Sequence, residues 1–316
     1  MTMLSVIIVN WNVKELLKQC LDSIIREVLE SDCEVIVVDN HSTDGSVEMV
    51  RVCFPQVKLI TNKENIGYGR AANQAVQIAG GDLLFVLNPD TIVKGDTLLQ
   101  IKEFMEQNPQ VGVGGCFVYY PDGKPQDCFF RFPTLATCFS KSFSLFRVLP
   151  RTRYTASLFY SVSGRDGQMP ESVSGSAMVI RKSAFEQVGG FDEDYFLYYE
   201  ETDLCYRIRQ KGWKIAAIPK TKVIHLLQQS ASKNFSVSVF HAFRSEFLFF
   251  EKNYPKYRLP ALRLLQLLGI ILRTGYWFPC SLLSNNNSEA LTKLKGYISL
   301  LLADFGYNKT LWKPKQ

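Results

Sequence analysis

Leu83-Leu84-Phe85-Val86-Leu87-Asn88-Pro89-Asp90 is the stretch on which the reading of this 316-residue chain turns. Five apolar residues after Gly80-Gly81-Asp82 predict a short strand buried on both faces. Pro89 cannot donate to a sheet ladder, so it ends the strand. Asp90 then falls just outside the carboxyl edge of a parallel sheet, where open α/β folds bind ligands. Taken alone, the stretch reads first as an aspartate in a surface turn, and the flanking chain has to decide.

Upstream, Leu4 to Val9 forms a β-branched run that predicts a buried strand. Asn12 and Glu15 have capping-box spacing, and Leu16, Leu17, Cys20, Leu21, Ile24, Ile25 and Val28 repeat at helical intervals. A strand from Glu34 to Val38 runs into Asp39-Asn40 and a polar turn, followed by a short helix through Val47 and Val50 and a strand from Val57 to Ile60. This alternation implies right-handed βαβ crossovers and a parallel sheet. In Asn62 to Asn73, glycines and small residues open a further helix. Its N-terminus with Arg70 suits a diphosphate, and equally a glycine-bearing helix entry with a solvated arginine. No G-x-G-x-x-G follows the first strand, which argues against a dinucleotide.

Four segments now stand in order: Val6 to Asn12, Val37 to Asn40 with Ser42, Asp44 and Gly45, Asn65 to Ala71, and Leu87 to Asp90. Together they resemble the donor half of family-2 glycosyltransferases, nearest to rhamnosyltransferase-like members, over about residues 3–225 and more faintly 240–255. The resemblance implies a GT-A fold, a Rossmann-like mixed sheet with helices on both faces, and sugar transfer from a nucleotide diphosphate donor. It implies donor contacts from Val9, Asn10, Trp11, Asp39, Asn65, Gly69, Arg70 and Asn88, with Asp39 accepting from a pyrimidine ring N–H. Asn88 and Asp90 stand where the family has Asp-X-Asp, so Asp90 is the main carboxylate ligand for Mg²⁺ or Mn²⁺.

Residues 119–172 have no clean periodicity and read as a long acceptor-side excursion with some mobile loop. A strand is expected again at Ser174 to Ile180, then a short helix from Ser183 to Val188 ending at Gly189-Gly190. Glu200, Glu201 and Asp203 fall in the first turn of the next helix, where acids also favour the helix dipole. They match the family's Glu-Asp-X-Asp motif, which makes Glu201 the general base, with Glu200 and Asp203 orienting helix and acceptor. Lys214 to Pro219 predicts an edge strand. His225 is expected as a second metal ligand, on the resemblance, with Ser230 and Lys233 behind it.

Phe243, Phe247 and Phe250, followed by Glu251 to Pro255, resemble the family's post-catalytic helix. Arg258 to Leu283 is strongly apolar, yet only nine residues separate Arg263 from Arg273, too few to span a bilayer. An interfacial helix with basic flanks and a helix packed on the catalytic domain are both open. Residues 226–316 hold 12 Lys and Arg against 4 Asp and Glu, whereas 1–225 hold 24 against 26. The basic excess therefore points to an anionic surface at the C-terminal part, such as a membrane, and not to a nucleic acid.

Eight cysteines without a C-x-x-C pair, and no secretory signal, place the protein in the cytoplasm, peripheral at the inner membrane face. The domain reading is 1–225 as catalytic domain, with donor half about 1–110 and acceptor half about 111–225, and 226–316 as a helical extension. Partners are a dTDP- or UDP-linked sugar and a glycan or lipid-linked acceptor. A nucleotide-sugar-binding protein without turnover and a membrane-surface adaptor with a degenerate GT-A domain remain the alternatives. A processive synthase is disfavoured by the absence of Gln-X-X-Arg-Trp and of multiple apolar spans.

Overall fold

The computed structural model describes residues 3–28, 32–145, 149, 169–226, 235–283 and 288–302. The chain divides into two compact units: Met1–Phe132 with Ser161–Phe196 and Glu200–Gln228, and Pro133–Tyr160 with Leu197–Tyr199 and Gln229–Gln316. The expected boundary after 225 lies three residues from the observed one. Of the span read as catalytic domain, Pro133–Tyr160 and Leu197–Tyr199 fall in the second unit.

The first unit opens as β1 (Leu4–Asn10), α1 (Lys14–Val28), β2 (Cys33–Asp39), α2 (Ser46–Cys53), β3 (Lys58–Thr61), α3 (Tyr68–Ile78) and β4 (Leu83–Leu87). β1 lies between β2 and β4, and β3 beyond β2, all parallel. Every residue of β4 is buried, as its uninterrupted apolar run requires of a strand covered on both faces. The chain continues as β5 (Thr91–Lys94), α4 (Thr97–Gln107), β6 (Val111–Gly115), β7 (Val118–Tyr119), β8 (Phe129–Phe130), α5 (Leu135–Ser142), β9 (Ser172–Val173), β10 (Ala177–Arg181), α6 (Lys182–Gln187), α7 (Glu200–Gln210), β11 (Lys214–Ala217) and β12 (Lys222–His225). The main sheet has the order β11-β6-β10-β4-β1-β2-β3, with β11 at the edge as expected. β10 runs antiparallel to both neighbours, which makes the sheet mixed. A second sheet, β5-β12-β7, carries the end of the unit back beside β4's exit.

Two local expectations are corrected. Asn12 does not cap α1: it sits at φ 54° and its side-chain oxygen accepts from Thr43 N at 2.7 Å. The helix start is served from the next loop, where Asp44 accepts from Lys14 N at 2.8 Å. β10 begins at Ala177 and not at Ser174, because Ser174–Ser176 closes a turn on itself, the two hydroxyls 2.9 Å apart.

The second unit contains α5 and the helices Phe235–Asn253, Leu259–Leu283 and Ser288–Leu302. Its interior is partly polar. Glu246, 4% exposed, accepts from Lys141 Nζ (3.1 Å), Tyr199 OH (2.9 Å) and Gln266 Nε2 (2.9 Å). Burial alone would raise its carboxyl, but Lys141 and these hydrogen bonds hold it below the ordinary range. The buried face of Phe235–Asn253 is Ser238, His241, Ser245, Glu246, Phe249 and Phe250, so Phe243 and Phe247 are not its core. In Leu259–Leu283, Leu262, Gln266 and Ile270 form the buried stripe, and no described helix is long and apolar enough to cross a membrane.

Candidate active site

The carboxyl ends of β1, β2 and β4 carry the residues singled out from the sequence. Asn10 and Asp39 are register partners, and Asn10 Nδ2 donates to Asp39 Oδ2 at 2.8 Å. Asp39 Oδ1 accepts from Ser42 N at 2.8 Å, so each carboxylate oxygen already holds one hydrogen bond and the residue is 2% exposed. Val9 is buried beside them and Trp11 is half-buried.

Asn40 was not anticipated as a structural hub. Its amide donates to Asn65 Oδ1 (2.9 Å) and Gly67 O (3.2 Å), and its oxygen accepts from Asn62 Nδ2 (3.0 Å). The asparagine-rich spelling of residues 62–65 was the available signal. This ladder fixes the approach to α3. Gly67 then turns in with φ 88°, where an added Cβ would stand 2.9 Å from Phe196 O. Gly69 packs against Phe191, and Arg70 reaches outward to pair with Glu193 at 3.2 Å, both about half exposed.

Asp90 follows β4, and its carbonyl accepts from Leu226 N at 2.9 Å. The antiparallel β5–β12 ladder sets His225 opposite Thr91 and so beside Asp90. His225 Nε2 lies 3.2 Å from Asp90 Oδ1, with both side chains largely buried. The pairing expected from the sequence is thus formed across 135 positions of chain. One carboxylate oxygen and one imidazole nitrogen converging at one point fit Mg²⁺ or Mn²⁺, whose other positions go to phosphate and water. Among the described residues no third His, Cys, Asp or Glu joins them. Ser230 and Lys233 lie outside the described residues.

A residue missed in the sequence completes this corner. Gln126 follows a tight hairpin, in which Tyr120 N donates to Lys124 O at 2.8 Å, and its side chain reaches both ends of His225. Nothing in its local sequence marks it, since its partner is 99 positions away.

The acids of α7 are separated by their surroundings. Asp203, 1% exposed, accepts from Arg207 Nε at 2.6 Å and is committed to that pair. Glu200 is buried, and one of its oxygens has no hydrogen-bond partner among the described residues. Burial and then the neighbouring Glu201 raise its carboxyl well above the ordinary range. Burial also raises Glu201, which remains half-buried beside the Ser174–Ser176 turn, where a Cβ on Gly175 would lie 3.6 Å from Glu201 Cβ. Asn88 N donates to Ser176 O of the same turn at 3.0 Å. Glu201 and the Asn88-Pro89-Asp90 corner therefore flank one turn. A cleft of about 380 Å³ lined by Asp82, Arg181, Lys182, Ser183 and Glu186 opens at the amino end of β4, away from all these groups.

With this geometry in place, comparison with known proteins decides the family. The sequence model described as "Glycosyl transferase family 2" matches residues 5–189. The chain belongs to that family. This glycosyltransferase also matches, over residues 159–229, a model described as the N-terminal domain of galactosyltransferase. It is 29% identical over 220 residues to an N-acetylglucosaminyl-diphospho-decaprenol L-rhamnosyltransferase of Mycobacterium tuberculosis, covering 65% of this chain and 70% of the relative. It is 24% identical over 254 residues to dTDP-rhamnosyl transferase RfbF of Shigella flexneri, covering 74% and 76%. Among solved structures, the mannosyltransferase PcManGT of Pyrobaculum calidifontis, in complex with GDP-Man and Mn²⁺, superposes with a TM-score of 0.57 at 17% identity. That superposition covers 98% of this chain and 83% of that one, and establishes the GT-A fold.

Proposed function

We propose that this glycosyltransferase moves rhamnose, or failing that another hexose, from a pyrimidine nucleoside diphosphate to a hydroxyl of a lipid-linked saccharide in surface polysaccharide synthesis. The observation that carries the reading is the single turn, Ser174–Ser176, flanked by Glu201 on one side and by the Asn88–Asp90 corner on the other. In the reaction, the acceptor oxygen bonds to the donor's anomeric carbon while Glu201 takes its proton. The bond from that carbon to the diphosphate oxygen breaks, and the electron pair leaves with the nucleoside diphosphate. One displacement inverts the anomeric centre. Asp90 and His225 would hold a divalent cation, which when bound supplies charge neutralisation for the departing diphosphate. Asp203, locked to Arg207, keeps α7 in place, and Glu200, whose carboxyl is raised by burial, helps to orient helix and acceptor.

The pyrimidine assignment rests on Asp39. A carboxylate has about four lone-pair sites, and Asn10 and Ser42 use two, leaving capacity to accept from a ring N–H. The rhamnose and lipid-linked assignments are supported by the names of the relatives above. The acceptor is held at the cytoplasmic membrane face, for which the second unit supplies the surface. Leu264, Leu268, Ile271, Leu272, Tyr276 and Leu282 of the helix Leu259–Leu283 are between 37% and 69% exposed, in the basic part of the chain.

Calorimetry with dTDP, UDP and GDP in the presence of Mn²⁺ tests the donor, and turnover of dTDP-rhamnose with a polyprenyl-diphosphate saccharide tests the acceptor. Tighter binding of dTDP or UDP than of GDP is expected. Tightest binding of GDP removes the pyrimidine and rhamnose assignments together.

A further inference from the structure

Gln126 belongs to none of the segments that carry the family resemblance, yet its side chain grips His225 at two points. Its Nε2 donates to His225 O at 3.0 Å, and its Oε1 lies 3.1 Å from His225 Nδ1. The first bond fixes the amide's orientation, because turning it over would set Oε1 against a carbonyl oxygen, acceptor against acceptor. With Oε1 in place, Nδ1 must carry the ring hydrogen. In the neutral ring the opposite nitrogen, Nε2, then presents its lone pair toward Asp90 Oδ1, 3.2 Å away. In that neutral ring the two electron-pair donors converge on one point, an arrangement that suits a divalent cation bound by both. The backbone holds the arrangement: Gln126 N donates to Val118 O at 2.9 Å, and β7 pairs with β12 at Val118 and Val223.

We propose that Gln126 is the positioning residue of the divalent-cation site, fixing the tautomer and ring plane of His225 so that Nε2 and Asp90 Oδ1 act as one two-atom chelate. The proposal rests on the reading of Asp90 and His225 as ligands. Groups that hold the far nitrogen of a metal-bound histidine are worth about 10–100-fold in metal affinity.

The test is Mn²⁺ binding to the full chain without nucleotide, followed by the free-ion EPR signal at high protein concentration, with the melting temperature measured in parallel. Wild type binds. Gln126→Ala binds about 10–100-fold more weakly at an unchanged melting temperature. Gln126→Glu, which keeps an acceptor at Nδ1 but exchanges the donor at the His225 carbonyl for a second carboxylate oxygen, recovers part of the affinity lost in Gln126→Ala. Absence of binding to wild type overturns the ligand reading of Asp90 and His225, and this proposal with it. Equal binding by wild type and Gln126→Ala overturns the role of Gln126 alone and leaves the ligands standing. Equal weakness of the Ala and Glu variants, or a parallel fall in melting temperature, shows that Gln126 merely ties its hairpin to β12 and overturns the proposal too.

Discussion

Glu201→Gln and Asp203→Asn, two conservative changes in one helical turn, are expected to have opposite phenotypes. In Glu201→Gln an amide of equal size replaces the carboxylate, so α7 and the Ser174–Ser176 turn are kept and only the proton acceptor is lost. Loss of a general base lowers turnover by about two to four orders of magnitude, or about 3–5 kcal/mol of transition-state stabilisation. Stability does not suffer, because burial already disfavours the charged form of Glu201 and the amide is neutral.

Asp203→Asn removes one member of a pair held at 2.6 Å, the aspartate being 1% and Arg207 25% exposed. Breaking such a buried pair costs about 3–5 kcal/mol, and the partial exposure of Arg207 puts this case at the lower end. About 3 kcal/mol in a unit of this size lowers the melting temperature by about 6–12 °C. Turnover at saturating donor and thermal unfolding by circular dichroism, measured on both variants, separate the two. If Asp203→Asn loses the orders of magnitude at an unchanged melting temperature while Glu201→Gln stays active, the base is misassigned.

Further outcomes concern the cation, pH and the membrane. Asp90→Asn should abolish turnover and weaken Mn²⁺-dependent diphosphate binding with the fold intact by circular dichroism; full activity in chelator-treated buffer would remove the metal role. Glu200, raised well above the ordinary range, binds a proton in the folded state that the unfolded chain has released. Stability it contributes is therefore present at low pH and lost as pH rises above about 4.3; Glu200→Gln should show a smaller fall in melting temperature between acid and neutral pH, and identical slopes contradict the shift. Turnover should fall on acidification through a pKa above the ordinary glutamate value, since Glu201 must be ionised to act; a rate constant down to that value argues against it. Vesicle co-sedimentation should grow with anionic lipid and shrink with salt, each basic residue near the surface adding about 1 kcal/mol; equal recovery in the supernatant with neutral and anionic vesicles refutes the membrane face.

The parallel strands were legible because a strand covered on both faces must be written as an unbroken apolar run, as in Val6–Val9, Val35–Val38 and Leu83–Leu87. The acids of α7 and the Asp90 corner were legible because each lies within a few residues of a strand or helix end. What escaped was long-range. Asn12 carries capping spacing, but Asp44, 30 positions beyond the Lys14 amide it accepts from, serves the helix start. Gln126 has no local pattern, because its meaning lies in a hairpin that β12 later joins. Glu246 on the buried face of Phe235–Asn253 escaped as well, since it is stabilised inside by Lys141, Tyr199 and Gln266, partners no helical periodicity reveals.

The position of β12 has a consequence for the newly made chain. The loops after β1, β2 and β3 are complete once α3 has emerged from the ribosome, but the imidazole that stands beside Asp90 is translated 135 residues after that aspartate. A chain that stops before β12 therefore lacks the imidazole that stands beside Asp90.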